Sequence, residues 1–305
     1  MNHILSTNKF TKDQVESILA RAHSLESSYK DESTSKLLSD KVIACVFFEP
    51  STRTRLSFET AALRLGAKVI SVENAMESSS AYKGETIEDT ARMLSCYADA
   101  IVIRHPTPFS VEKASKATET PILNAGDGAN QHPSQGLLDL YTIQKEHGKL
   151  NDLNIIFVGD VLHSRTLNSL IPLFSLYSGI TLEFVSPKEL VLSAEQKKEL
   201  TDRNISFKES DNLVEALPSA DVIYMIRVQK ERFASEGEYD KVKDTFILKP
   251  EHLNVMKEDA IIMHPLPRIN EIDQSIDTDK RAAYFRQAGN AVYVRMALFL
   301  HVFNL

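Results

Sequence analysis

The feature that most constrains this chain is a repeated alternation of short apolar runs with longer amphipathic ones. Strand-like runs cover 42–48, 68–72, 100–104, 154–158, 181–185, 221–226 and 260–263. They are short and carry many β-branched and aromatic residues, which predicts buried strands. Between them lie helical patterns. In 86–98, Ile87, Ala91, Leu94 and Ala98 fall on one face. In 51–66, Thr54, Phe58, Ala61 or Ala62, and Leu65 share a face, with Gly66 as the stop. Strands alternating with helices imply parallel sheets covered on both sides, so the predicted class is α/β with doubly wound parallel sheets. A chain of 305 residues divides most naturally into two such domains. A boundary near Gly148-Lys149-Leu150-Asn151-Asp152 follows a helix over 135–147 and precedes a fresh strand.

In sheets of this kind, sites gather at the carboxyl ends of strands. Ser51-Thr52-Arg53-Thr54-Arg55 occupies such a place, between the apolar run ending at Phe48 and the helix ending at Gly66. Ser51 after Pro50 reads as an N-cap. Free backbone N–H groups and the positive end of the helix dipole, joined by hydroxyls and guanidinium groups, suit a phosphate-sized dianion. The stretch also fits an ordinary helix start with solvated arginines, and Arg55 fits an ion pair that holds the loop. Other strand ends carry Arg104-His105-Pro106, Arg227 with Gln229, and His264-Pro265-Leu266-Pro267-Arg268, while Arg165 follows the turn after 154–158. His132 and Gln135 bracket a helix start after Gly126-Asp127-Gly128, where a neutral imidazole could donate to a carbonyl oxygen. The polar segment 73–84, long for a loop, offers Ser78, Ser79, Ser80 and Lys83. Each piece alone fits a surface or capping role better than a site. Together they form one cationic cluster per half, which suggests two anionic substrates meeting between two domains.

Composition excludes several classes. A formal net charge of −7 argues against a general nucleic-acid binder. No apolar run is long enough to span a membrane. The N-terminus lacks a basic region followed by an apolar core, so no signal peptide is expected. Cys45 and Cys96 read as buried small hydrophobes, a usage that suits a reducing, cytoplasmic compartment. The histidines show no metal-ligand spacing. The segment after Gly159-Asp160 lacks the later glycines of a dinucleotide fingerprint, and no Gly-rich Lys-Ser/Thr loop occurs. No metal and no cofactor are expected.

Taken in order, Phe48 to Arg55, Lys83-Gly84-Glu85-Thr86, Gln131-His132-Pro133-Ser134-Gln135, Arg227-Val228-Gln229 and His264 to Arg268 resemble the transcarbamylase family over nearly the full chain. Two local departures stand out: Ser134 replaces the usual Thr, keeping the hydroxyl, and 162–166 differs around a retained Arg165-Thr166. The resemblance implies a carbamoyl-phosphate domain over 1–134 and 288–305, a linking helix over 135–149, and an aspartate domain over 150–287. It also implies a homotrimer with shared sites, Ser79 and Lys83 entering the neighbouring copy's site, and leaves room for regulatory chains.

The implied reaction joins the carbamoyl group of carbamoyl phosphate to the α-amine of L-aspartate, an early step of de novo pyrimidine biosynthesis. Ser51, Thr52, Arg53 and Thr54, with Ser79 and Lys83, would hold the phosphoryl group. Thr54, Arg104 and His132 would polarise the carbonyl oxygen, and Gln135 would orient the carbamoyl amide. Arg165, Arg227 and Gln229 would bind the aspartate carboxylates, with Arg268 a further candidate. Lys83 is expected to reach both substrates, and the Pro265 and Leu266 carbonyls would position amine groups, both on carbamoyl phosphate and Leu266 also on aspartate. The ornithine-using branch carries Cys in place of Pro265 and must bind a cationic side chain, which this second cluster would repel. A non-catalytic anion-binding scaffold is the other alternative. It would have no need of Thr54, Arg104 and His132 together.

Overall fold

Apolar runs flanked by amphipathic helices have one stable outcome, a parallel sheet buried on both faces, and the chain forms two of them. A computed structural model describes residues 3–228, 235–242 and 244–305. The chain divides into two compact units, Met1–Tyr141 with Gly289–Leu305, and Thr142–Ala288. Unit 1 holds α1 (Lys12–Ser28), β1 (Val42–Phe47), α2 (Thr52–Arg64), β2 (Lys68–Glu73), α3 (Ala75–Ser78), α4 (Ile87–Ser95), β3 (Ala100–His105), α5 (Ser110–Ser115) and β4 (Ile122–Asp127). Helix α6 (Pro133–His147) carries the chain onward. Unit 2 holds β5 (Asn154–Gly159), α7 (Arg165–Phe174), β6 (Thr181–Val185), α8 (Ala194–Asp202), β7 (Ser206–Ser210), α9 (Leu213–Ala216), β8 (Val222–Ile226), α10 (Glu236–Val242) and β9 (Ile261–Met263). Helix α11 (Tyr284–Val302) ends the fold, and the boundary between the units falls inside α6 and α11.

All strand pairs are parallel, in the orders β2-β1-β3-β4 and β7-β6-β5-β8-β9. Strands β1, β3, β5 and β8 are buried almost throughout, as expected for strands covered on both faces. Edge strands β2 and β7 are half exposed and more polar. The other two edges are covered by their own chain. Ile4 bridges Leu123 beside β4, and Ala282 bridges Ile262 beside β9. Each sheet reverses its winding once, between β1 and β3 and between β5 and β8, and these switch points open crevices at the strand carboxyl ends.

Several expectations needed correction. Strands β4 and β7 were absent from the sequence reading: Asn124, Gly126 and Asp127 break the apolar run of β4, and β7 is a polar edge. Segment 73–84 is not a structureless loop but contains α3 and a 3-10 turn over Ser80–Lys83. Cys45 is buried, but Cys96 is exposed, because it leaves α4 on the side away from Leu94. The last helix starts at Tyr284 rather than near Asn290, its first turns masked by Gly289. Among the described residues, no helix is long and apolar enough to cross a membrane.

One glycine in unit 2 is dictated by packing. Gly159 ends β5 at φ +116°, and a Cβ there would lie 2.1 Å from the Ile226 carbonyl oxygen of β8. Gly159→Ala should therefore cost about 3 kcal/mol, from the left-handed backbone and the overpacking together. Thermal unfolding should show it as a fall of roughly 6–12 °C. An unchanged melting temperature would contradict this account of the β5–β8 contact.

Candidate active site

In unit 1, the polar residues collect at the β1–β3 switch point. Ser51 stands at the N-cap of α2, yet its hydroxyl makes no capping bond, contrary to the expected cap. Its Oγ, the hydroxyls of Thr52 and Thr54, and the N–H groups of Thr52 and Thr54 make no hydrogen bond to described residues. Helix starts normally satisfy such groups with a side chain, water or a ligand. Thr54 is buried, while Thr52 and Arg53 are exposed at the mouth. Arg55 turns away, pairing with Glu59 at 3.0 Å and Glu73 at 2.8 Å. It holds the loop, the simpler of the two roles open to it.

Arg104, at the end of β3, is only 8% exposed. Its NH2 pairs with Glu49 Oε1 at 2.6 Å, and its NH1 donates to the Ala125 carbonyl at 3.3 Å. The guanidinium is thereby fixed between β3, β4 and the loop leading to α2. His132 is buried just before α6, and its Nδ1 lies 3.4 Å from Ser134 Oγ. Gln135 Nε2 donates to Asp139 Oδ1 at 2.8 Å, which leaves its amide oxygen as the group able to accept from a carbamoyl NH2. Ser79 Oγ donates to the Ala75 carbonyl at 2.6 Å and accepts from Ala81 N–H at 3.2 Å. Lys83 is exposed in the same turn.

Two residues beneath this site escaped the sequence reading. Arg295 of α11 is 2% exposed, lies over the Phe58 ring at 4.6 Å, and donates to Ser57 Oγ and, at 3.5 Å, to Ser134 Oγ. Burial, with the like charge of Arg104 and against the pull of Asp139, draws the Arg295 guanidinium down to about 9. Asp139, fully buried, is the other. The available signal was a lone arginine in an otherwise apolar helical run.

In unit 2, Arg165 opens α7 after β5, and Arg227 follows β8. They flank the β5–β8 switch point. His264 follows β9 at the same edge of the sheet, and the charge of Arg227 reaches it. Gln229 lies outside the described residues. The charge of Arg268 reaches His264 as well, but its guanidinium is committed to the fold. Its guanidinium forks onto the Asp277 carboxylate, bonds the Tyr284 hydroxyl at 3.1 Å and lies over the Tyr284 ring at 5.2 Å. A bidentate pair of this kind, with Arg268 half-buried and Asp277 exposed, serves the fold. Pro265 and Leu266 are half-buried, and their carbonyls accept no hydrogen bond from described residues. Among the described residues, no group of three or more His, Cys, Asp or Glu side chains could hold a metal ion.

Two doubly wound units, each with polar residues at its switch point, define an α/β protein of two parallel-sheet units. Known families agree on which one. The family profile "Aspartate/ornithine carbamoyltransferase, carbamoyl-P binding domain" matches residues 2–145, and "Aspartate/ornithine carbamoyltransferase, Asp/Orn binding domain" matches 151–302. The aspartate carbamoyltransferase catalytic subunit of Methanocaldococcus jannaschii is 46% identical over 298 residues, covering 98% of this chain and 96% of that protein. A solved structure of that subunit superposes with a TM-score of 0.92 at 44% identity, over 100% of this chain and 98% of the other. Aspartate transcarbamoylase from Trypanosoma cruzi, solved with carbamoyl phosphate and aspartate, gives a TM-score of 0.90 at 33% identity, over 98% and 95%. The multifunctional protein pyr1-3 of Dictyostelium discoideum is 47% identical over 302 residues; these are 99% of this chain but only 13% of that protein's length. This chain belongs to the aspartate/ornithine carbamoyltransferase family.

Proposed function

We infer that this protein is an aspartate carbamoyltransferase: it transfers the carbamoyl group of carbamoyl phosphate to the α-amine of L-aspartate, releasing phosphate. The observation that carries this reading is the pairing of the hydroxyls and N–H groups at the start of α2 with a fixed guanidinium, Arg104, at one switch point. Ser51, Thr52, Arg53 and Thr54 hold the phosphoryl group. Thr54, Arg104 and His132 stabilise charge on the carbonyl oxygen, and Gln135 accepts from the carbamoyl amide. Arg165 and Arg227, with Gln229, take the two carboxylates of aspartate; the Pro265 and Leu266 carbonyls accept hydrogen bonds from the carbamoyl amide, and Leu266 also from the aspartate amine. The amine nitrogen attacks the carbonyl carbon, the carbon–oxygen bond to phosphate breaks, and the leaving phosphate accepts the amine proton. Alignment and fixed charge then provide most of the acceleration.

The working assembly is a homotrimer in which Ser79 and Lys83 complete a neighbouring copy's site. Supporting this, α2 and α3 pack on edge strand β2, and Leu56, Leu63, Ile70, Met76 and Tyr82 are exposed on these elements and the adjoining turn. The place of action is the cytoplasm, and the product enters pyrimidine synthesis.

The deciding experiment is colorimetric detection of carbamoyl-aspartate from carbamoyl phosphate and aspartate, beside an ornithine control. Product with aspartate and none with ornithine is expected, and the reverse would overturn the assignment. Arg227→Ala should raise the half-saturating aspartate concentration about a hundredfold, the loss expected for one charge-assisted contact, with little change for carbamoyl phosphate. An unchanged aspartate saturation curve would remove Arg227 from the site.

A further inference from the structure

The backbone that follows β9 is braced by one imidazole. His264 is 1% exposed, and both ring nitrogens are engaged. Leu266 N–H donates to Nδ1 at 2.7 Å, and Nε2 lies 2.6 Å from Glu271 Oε1. Since Nδ1 accepts, the ring proton sits on Nε2 and is donated to Glu271. Burial lowers the His264 pKa, and the charges of Arg268 and Arg227 add to it, outweighing Glu271. Burial pushes the Glu271 carboxyl upward, but the bonds from His264 and from backbone N–H groups hold it below the usual carboxylate range. The pair is a neutral imidazole donating to a carboxylate.

The brace reaches further than the ring. Glu271 Oε2 accepts from Ile269 N–H at 3.0 Å and Asn270 N–H at 3.1 Å, and His264 N–H donates to Gln287 Oε1 at 2.9 Å. Leu266 stands at φ +56°, in the left-handed region that a leucine rarely adopts. Among the described residues, its one hydrogen bond is the one to the His264 ring. A residue in an unfavourable backbone conformation is therefore held by the imidazole, and its own carbonyl and that of Pro265 are the two open ones.

We propose that His264 is a positioning residue that acts through Leu266 N–H, setting the backbone so that the Leu266 carbonyl receives the amino group of the acceptor substrate. This rests on the reading that the acceptor is aspartate. It adds a specificity device: the carboxylates are recognised by guanidinium groups, and the amine by a backbone shape that His264 maintains.

Two near-isosteres separate the two ends of the ring. His264→Asn keeps an acceptor where Nδ1 lies and loses the reach to Glu271. His264→Gln keeps a donor toward Glu271 and loses the acceptor for Leu266. The half-saturating aspartate concentration should rise roughly tenfold to a hundredfold in His264→Gln and by less than about threefold in His264→Asn. Inhibition by butanedioate, which has both carboxylates and no amine, should be unchanged in both. Equal weakening of aspartate and butanedioate, or a His264→Asn defect as large as that of His264→Gln, would overturn the proposal. Nitrogen-15 spectra of histidine-labelled wild-type protein supply a test that needs no variant to fold: they should report a neutral His264 protonated at Nε2, and protonation at Nδ1 would overturn it too. An active wild type with any of these contrary results sinks only this inference. A wild type that makes no carbamoyl-aspartate sinks the functional reading and this inference with it.

Discussion

Arg104→Ala should lower kcat about a thousandfold, close to 4 kcal/mol of transition-state stabilisation. The guanidinium is clamped by Glu49 at 2.6 Å and by the Ala125 carbonyl at 3.3 Å. A donor held this way needs no reorganisation as negative charge grows on the carbonyl oxygen, and its burial keeps water from screening it. Arg104→Lys should not restore the rate. A lysine supplies a point charge and cannot engage a carboxylate and a carbonyl with one planar fork. Steady-state kinetics at saturating substrates, beside a melting curve, makes the check. A folded Arg104→Ala protein within threefold of the wild-type rate would remove Arg104 from the chemistry.

Arg53→Ala should cut kcat/KM for carbamoyl phosphate by about a hundredfold to a thousandfold. Arg53 is exposed at the first turn of α2, so its loss should change stability by no more than about 0.5 kcal/mol. The remaining N–H groups and the helix dipole keep a weakened cradle, which is why binding should fall rather than vanish. Arg55→Ala is the internal contrast. Arg55 is committed to Glu59 and Glu73, so its replacement should act on loop stability first. If the two variants lost catalysis equally at equal stability, the division of labour between these neighbouring arginines would be wrong.

The legible part of the site was the part carried by local sequence. Ser51 to Thr54 could be placed at a strand-to-helix junction because Val42 to Phe47 is a continuous apolar run and Phe58, Ala61 and Ala62 repeat at helical spacing. Strand β7 was hidden because an exposed edge has no second face to fill with apolar residues. Strand β4 was hidden because polar Asn124 lies in its interior and Asp127 at its end, where they bond each other at 2.9 Å. Arg268 read as a substrate cation from its motif, but Asp277, nine residues on, takes its fork. No spacing rule exposes a pair made by the curvature of a loop. Arg295 was equally out of reach: what it touches, Ser57 and Ser134, lies 238 and 161 residues away in the chain.

From the chain alone came the α/β class, most strands, the motifs and the transcarbamylase resemblance. These depend on side-chain periodicity and on short runs whose chemistry is complete within a few residues. Only the tertiary structure decided that Arg55 and Arg268 are bound into the fold, that β1 and β3 meet at a switch point, and that His264 holds the backbone of Leu266. The reason is physical. Periodicity reports which side of an element is buried, whereas the state of a charge or a carbonyl depends on partners that distant segments bring to within about 3 Å.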